Sequence, residues 1–187
     1  MKESVYLQDH FLLAMPNAED PNFHHAVIYL CEHNQNGAVG IIINRPTTIS
    51  LVDVLGDMKI VVQDDIVRHM PVLFGGPVHQ ERGFVIHNEK GNWRSTLDSN
   101  GNIFITTSRD ILEAIAIHQG PAQVLIALGC CAWEPGQLEN ELKENIWLSA
   151  PSNPLITFEL PFESRYTEAM SSLGITLTNF SEESGHA

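Results

Sequence analysis

The chain has 187 residues, and its 10 basic and 23 acidic residues give it a formal net charge of −13. Hydrophobic residues make up 43% of the chain, which is enough to build one core without disulfide or metal staples. Nucleic-acid affinity comes mainly from clustered Lys and Arg side chains, so this charge and the lack of such a cluster disfavour direct binding to nucleic acid or anionic membrane.

The amino-terminal segment predicts a cytoplasmic location. Glu3 and Asp9 interrupt the pattern of a secretory signal peptide, and no window has the uninterrupted apolar length of a membrane span. The chain has three cysteines, an odd number, and Cys130 and Cys131 are adjacent, so no disulfide framework is predicted. Without an internal linker, residues 1–187 are expected to form a single domain.

A β-hairpin is predicted in the first quarter of the chain. Residues 25–32 and 38–44 are apolar and β-branched, and Asn36-Gly37 between them tolerates the positive φ of a tight turn. Pro46, which has no N–H for a ladder, is expected to end the second strand. Ser50 is expected to cap a short helix.

The middle of the chain alternates short strands with turns and one helix. Strands are predicted at 72–74, 83–87, 103–106 and 124–128, whereas residues 59–70 mix apolar and charged side chains without a pattern that predicts one element. Residues 88–101 are polar and predict a hairpin or a long loop, with Trp93 as its apolar anchor. Ser108 is expected to cap a helix that stops at Gly120-Pro121.

Two helices and one strand are predicted in the last third. Pro135 and Gly136 are expected to open a helix that turns Leu138, Leu142 and Ile146 inward, residues 155–158 to form a strand, and residues 161–173 to form the last helix. Hairpins mixed with strand–helix alternation predict an α+β fold with a mixed sheet and helices packed on it.

The segment 128–137 is the first candidate site. A small-residue turn between a buried strand and a helix start could display Cys130 or Cys131 as a nucleophile or redox switch. The alternative is that both thiols pack as small buried hydrophobes.

Glycine turns and arginines are the next candidates. Gly75-Gly76 could bring backbone N–H groups close to a ligand, or could simply form a tight turn; the segment lacks the spacing and the lysine of a phosphate loop. Arg45, after Asn44, and Arg82 could together clamp a carboxylate or phosphate, or could each pair with a local carboxylate.

Hydroxyl-bearing residues at 106–108 could donate to an anion, but an ordinary helix cap with Asp110 in the first turn is the simpler interpretation. The histidines and cysteines lack metal-ligand spacing, so neither a metal site nor a cofactor is predicted.

Many short motifs resemble the YqgE/AlgH family of bacterial proteins, in matching order over nearly the whole chain. They include FLLAMP, the run NGAVGIIINRP from residue 36, FGGPV from residue 74, RGFVIH from residue 82 and ITTSRD from residue 105. The resemblance implies a compact α+β domain whose irregular sheet is partly closed like a barrel and flanked by helices. It implies no established reaction, and some members carry a transcriptional-regulator label that rests on no DNA-binding motif. Cys130 stands where the family typically has an aromatic residue.

Two functions follow as hypotheses. The first is a non-catalytic binding or regulatory module that acts through a protein partner or a small anionic ligand, with a surface built from Asn44, Arg45, Gly75, Gly76, Arg82, Trp133 and Gln137. The alternative is a cysteine-dependent enzyme or redox sensor that uses Cys130 or Cys131.

Overall fold

The computed structural model describes residues 5–176 of the chain, in which ten strands form one curled, half-barrel sheet. The strands are β1 (His10–Ala14), β2 (Val27–Asn34), β3 (Gly37–Ile42), β4 (Pro46–Ser50), β5 (Pro71–Phe74), β6 (Val78–His87), β7 (Thr96–Asp98), β8 (Phe104–Thr106), β9 (Val124–Trp133) and β10 (Trp147–Pro151). The helices are α1 (Leu51–Asp57), α2 (Asp65–Arg68), α3 (Arg109–Ala116), α4 (Gln137–Lys143) and α5 (Phe162–Ser171), with a π-helical turn at Leu155–Glu159.

Strand β9 is the centre of the sheet. The strands follow the order β10-β1-β2-β3-β9-β6-β8-β7, and β4 pairs with β5 beside this path. The first half of β9 pairs parallel with β5 and antiparallel with β6, and its second half pairs antiparallel with β3. Since one parallel pair joins an otherwise antiparallel sheet, the mixed sheet predicted from the sequence is confirmed.

A left-handed glycine lets β9 serve both halves of the sheet. Gly129 has φ +83°, and the side-chain alternation shifts there: Leu125 and Ala127 share one core cluster with Cys130, whereas Cys131 and Trp133 join another. Such a bulge re-aims the following side chains and changes the direction of the strand.

Three groups of buried apolar side chains hold the helices on the sheet. Helix α5 packs Tyr166 and Met170 into the cluster formed by one face of β1, β2, β3, β6 and β9. Helix α4 covers a second cluster through Leu138. Helices α1 and α3 cover a third, in which Leu55 and Ile111 pack with Val85 and Ile126 of the sheet. The α+β class and the partly closed sheet are therefore confirmed.

The structure extends or corrects several predicted elements. The β2–β3 hairpin, the Ser50 and Ser108 helix starts and the strand at 72–74 are confirmed, although Pro46 also begins edge strand β4. The segment 88–101, predicted as a hairpin or a long loop, contains β7, which pairs antiparallel with β8, and Trp93 packs on the cluster beneath α1 and α3. Strand β1 and the edge strand β10 beside it were not predicted.

Three predictions were wrong. The predicted strand at 155–158 is a π-helical turn, because the side chain of Asn153 accepts a hydrogen bond from the Leu155 N–H at 3.0 Å and starts a turn despite the β-branched residues that follow. The predicted strand 124–128 continues to Trp133, so Cys130 and Cys131 lie within a strand instead of a turn. Ile146, predicted to face inward from α4, is 41% exposed because α4 ends at Lys143.

Among residues 5–176, no helix has both the length and the apolarity to cross a membrane.

Candidate ligand-binding cleft

Asn44 and Arg45 hold the backbone of the segment before β2. The Asn44 side chain accepts from the Val27 N–H at 2.9 Å and donates to the His25 carbonyl at 2.8 Å. The Arg45 guanidinium donates to the carbonyl oxygens of Pro21 at 2.9 Å and His24 at 2.7 Å. These bonds commit both side chains to loop carbonyls and not to the carboxylates that the sequence suggested as alternative partners for Arg45.

Gly75 and Gly76 lie against Gly129, backbone to backbone. A Cβ atom at Gly75 would stand 2.2 Å from the Gly129 carbonyl oxygen, and one at Gly129 would stand 2.2 Å from the Gly76 carbonyl oxygen. Gly75 also links three strands, because its N–H donates to Leu128 and its carbonyl accepts from Ile42. The glycines are therefore needed where β3, β5 and β9 meet.

The other predicted surface residues do not converge on one cleft. Trp133 is 7% exposed and packs edge-to-face on Trp147, and it lines a small cavity of about 220 Å³ beside the β2–β3 hairpin. The Gln137 side chain accepts from the Glu134 N–H at 3.0 Å at the start of α4. Arg82 is exposed on β6, and its charge acts on the Cys130 thiol. A binding role for these segments stays a prediction.

Cys130 and Cys131 are buried in the core. Their exposed fractions are 4% and 3%, and the Cys131 thiol points at the Gly75 carbonyl with a sulfur–oxygen distance of 3.6 Å. Burial raises the pKa of the Cys130 thiol above its usual value, although the charge of Arg82 opposes this. Burial and the adjacent Cys130 raise the pKa of the Cys131 thiol further. A nucleophilic cysteine needs the opposite shift.

A cleft of about 350 Å³ lies between α1 and α3 on the sheet. Val85 of β6 and Ile126 of β9 form its floor, and Met58, just after α1, and Leu112 of α3 form apolar walls. Gly83 of β6 also lines it, and a Cβ atom there would meet no other atom within 4 Å. A volume of this size and an apolar lining are typical of small-molecule sites.

Charged side chains surround the mouth of this cleft. Asp57 from α1 and Glu81 from β6 contribute carboxylates, and Arg109 from α3 contributes a guanidinium. The Arg109 Nε donates to Glu113 at 3.1 Å, so its charge is partly neutralised. Within residues 5–176, Asp57 forms no ion pair. Glu81 pairs there only with His79, at a nitrogen–oxygen distance of 3.9 Å. The mouth is therefore net negative.

The hydroxyl-rich segment 106–108 lies at this cleft, but the N-terminus of α3 already holds a carboxylate. Asp110 accepts from the Ser108 hydroxyl at 2.5 Å and from the N–H groups of Arg94 and Ile111 at 2.8 and 3.0 Å. Partial burial raises the pKa of Asp110, but these hydrogen bonds outweigh it and lower the pKa overall. Ser108 is the N-cap residue of α3 by position, but its hydroxyl donates to Asp110 and makes no hydrogen bond to the helix N–H groups. The Asp110 carboxylate is therefore the group that lies where an external anion would bind.

A second cavity of about 350 Å³ opens on the other face of the sheet, where Cys31, Ile41 and Phe84 are among its lining residues. Thr107 lines both cavities. The sequence did not indicate either cavity, because each is built from elements far apart in the chain. The one available signal was the 106–108 segment, which borders both.

Comparison with known proteins gives the family. A model described as AlgH-like matches residues 11–178. The chain belongs to the AlgH-like family. Its UPF0301 relatives include a Nitrosococcus oceani protein, 49% identical over 187 residues and covering all of both chains, and a Nitrosospira multiformis protein, 47% identical over 185 residues, 99% of this chain and all of the relative. The family resemblance inferred from the motifs is confirmed.

Two solved structures resemble this member of the AlgH-like family. The AlgH protein of Pseudomonas aeruginosa is 44% identical and superposes with a TM-score of 0.81, covering 97% of each chain. A Corynebacterium diphtheriae protein has a TM-score of 0.70 over 91% of this chain and 88% of its own, and its 19% identity makes it evidence for the fold alone. The names of these relatives give no reaction and no specific regulatory role.

Proposed function

We propose that this AlgH-like protein is a non-catalytic binding module, with its ligand site in the cleft between α1 and α3. The observation that carries the proposal is the cleft of about 350 Å³ itself, in which the partly exposed apolar side chains of Val54, Met58 and Leu128 lie around a buried floor. Leaving apolar side chains accessible to water costs free energy, and a bound ligand would recover it by covering them. Any regulation would then follow from ligand occupancy or from a protein partner.

The side chains near the cleft support binding more than bond-making. A nucleophilic mechanism needs an activated side chain next to a base, and the thiols of Cys130 and Cys131 are buried with raised pKa values. His87, a histidine near this region, is fully buried. Its Nδ1–H donates to the Glu89 carbonyl at 2.7 Å, and its Nε2 is hydrogen-bonded to the Thr106 hydroxyl at 2.7 Å. Its hydrogen bonds are already used within the fold. The charge of −13 also disfavours DNA as the direct target.

The proposal is tested by filling the cleft from its floor. Gly83→Leu adds a side chain where the structure has open space, so we expect the variant to fold and the new leucine side chain to occupy the cleft. Gly56→Leu is the matched control, since Gly56 lies on α1, is exposed, and has no atom within 4 Å of a new Cβ. A fragment library is screened by ligand-observed NMR against the parent chain and both variants.

Fragments that bind the parent chain and Gly56→Leu but not Gly83→Leu would support the cleft as the binding site. Fragments that bind Gly83→Leu as well as they bind the parent would show that the site lies elsewhere, and the proposal would be wrong.

A further inference from the structure

The charges at the mouth of the α1–α3 cleft indicate which ligands it would accept. Asp57 and Glu81 line the cleft and carry carboxylates, whereas Arg109, which also lines it, is paired with Glu113. Glu81 is 82% exposed and Asp57 is exposed, so both are free to turn toward a ligand. Opposite charges within a few ångströms attract, and they do so more strongly beside a low-dielectric wall than in open water.

We infer that the cleft selects small organic cations, in which a primary amine or a similar cationic group is joined to an apolar body. The apolar body would lie on Val85 and Ile126, and the cation would lie between Asp57 and Glu81. This inference rests on the proposed function, because it names the ligand class of the same site.

An anionic ligand fits the same cleft less well. The helix N-terminus that would attract an anion is that of α3, and the Asp110 carboxylate already lies there, accepting from the Ile111 N–H and the Ser108 hydroxyl. An added anion would face Asp57, Glu81 and Asp110 within a chain of net charge −13. The small anionic ligand expected from the sequence is therefore an alternative that the experiment separates from the cation.

Three probes that share one apolar body isolate the effect of charge: phenethylamine, 2-phenylethanol and 3-phenylpropionate. Their dissociation constants are measured by NMR titration with the parent chain, with Asp57→Asn/Glu81→Gln, and with Gly83→Leu. Glu134→Gln, an exposed position just after β9, removes a charge away from the cleft and serves as the control. Both carboxylates are exposed, so salt and solvent limit their contribution.

We expect phenethylamine to bind the parent chain and Glu134→Gln ~3–10-fold more tightly than 2-phenylethanol, and 3-phenylpropionate to bind most weakly. The double variant should lose this preference while its affinity for 2-phenylethanol is unchanged. Added salt should weaken phenethylamine binding only where the carboxylates are present.

The outcomes separate the two claims. If Gly83→Leu blocks the probes but phenethylamine shows no preference, or 3-phenylpropionate binds most tightly, the inference about cations is wrong and the binding site stands. If phenethylamine binding survives in Gly83→Leu, the proposed site is itself wrong. Failure of every probe to bind the parent chain would also overturn the inference.

Discussion

Replacing Gly129 by alanine tests whether the paired glycine segments serve backbone packing. Gly129 has φ +83°, and the new Cβ would lie 2.2 Å from the Gly76 carbonyl oxygen. That oxygen belongs to the main chain, so it cannot rotate away as a flexible side chain could. Ordinary contact with a Cβ begins near 3.4 Å, so the two backbones would have to separate by about 1 Å.

The expected loss follows from two costs. A left-handed conformation at a non-glycine residue costs about 1–2 kcal/mol. Forcing an extra methyl group into a packed interior costs about 1–3 kcal/mol. Gly129→Ala should therefore lower the free energy of unfolding by about 2–5 kcal/mol, a large part of the about 5–15 kcal/mol that holds a typical domain together.

Urea denaturation, followed by far-UV circular dichroism, measures this loss as a shift of the midpoint at constant slope. Gly83→Ala is the matched control, because its Cβ meets open space, and it should change the free energy by less than about 1 kcal/mol. If Gly129→Ala were as stable as Gly83→Ala, the packing of the two backbones would not require these glycines. The alternative hypothesis, that Gly75-Gly76 brings backbone N–H groups close to a ligand, would then be favoured.

Two further predictions concern the buried thiols and a buried histidine. Cys130 and Cys131 should react with iodoacetamide at pH 7 much more slowly in the native protein than in urea; rapid native alkylation of either would favour the cysteine-dependent alternative. Burial lowers the pKa of His87 below its usual value of 6.5, so the unfolded chain binds a proton at this histidine at a higher pH than the folded protein does. The stability that neutral His87 contributes is therefore complete above pH 6.5 and decreases as the pH falls below that value. An NMR titration of the His87 ring should give a pKa below 6.5, and a pKa at or above 6.5 would contradict the burial argument.

Local chemistry made much of the fold predictable. Asn36-Gly37 favours a hairpin turn because both residue types tolerate positive φ, and Gly37 adopts it, with φ +125°. Ser50 and Ser108 mark helix starts through the same kind of local preference, and both helices begin there. The apolar run 124–128 predicted a buried strand because both faces of β9 are covered there.

Long-range pairing decided the elements that were missed. Residues 147–151 form a strand only because β1 lies beside them, with Leu12 opposite Ser149. Residues 130–133 follow a glycine and include two cysteines where a turn was expected, but pairing with β3 and β6 keeps them in the strand. The sequence of either segment alone does not indicate which strand it pairs with.

The cleft was beyond sequence analysis for the same reason. No sequence pattern marks Gly83, because a Cβ atom there would meet no neighbouring atom. Gly83 matters because its missing side chain leaves space above the sheet between α1 and α3. In the sequence, nothing distinguishes Asp57 and Glu81 from the other acidic residues among the 23. The fold places both at the mouth of the α1–α3 cleft. Arg45 is one of 10 basic residues, which made it a candidate for binding an anion, but in the structure its guanidinium donates to loop carbonyls.

The most direct measurement of the central claim is the position of a bound probe. Intermolecular nuclear Overhauser effects between the phenethylamine ring and assigned methyl groups would locate it. Binding in the α1–α3 cleft predicts contacts to Val85, Leu112 and Ile126, which line that cleft. Contacts instead to Val39 and Ile41, which line the cavity on the other face, would contradict the account.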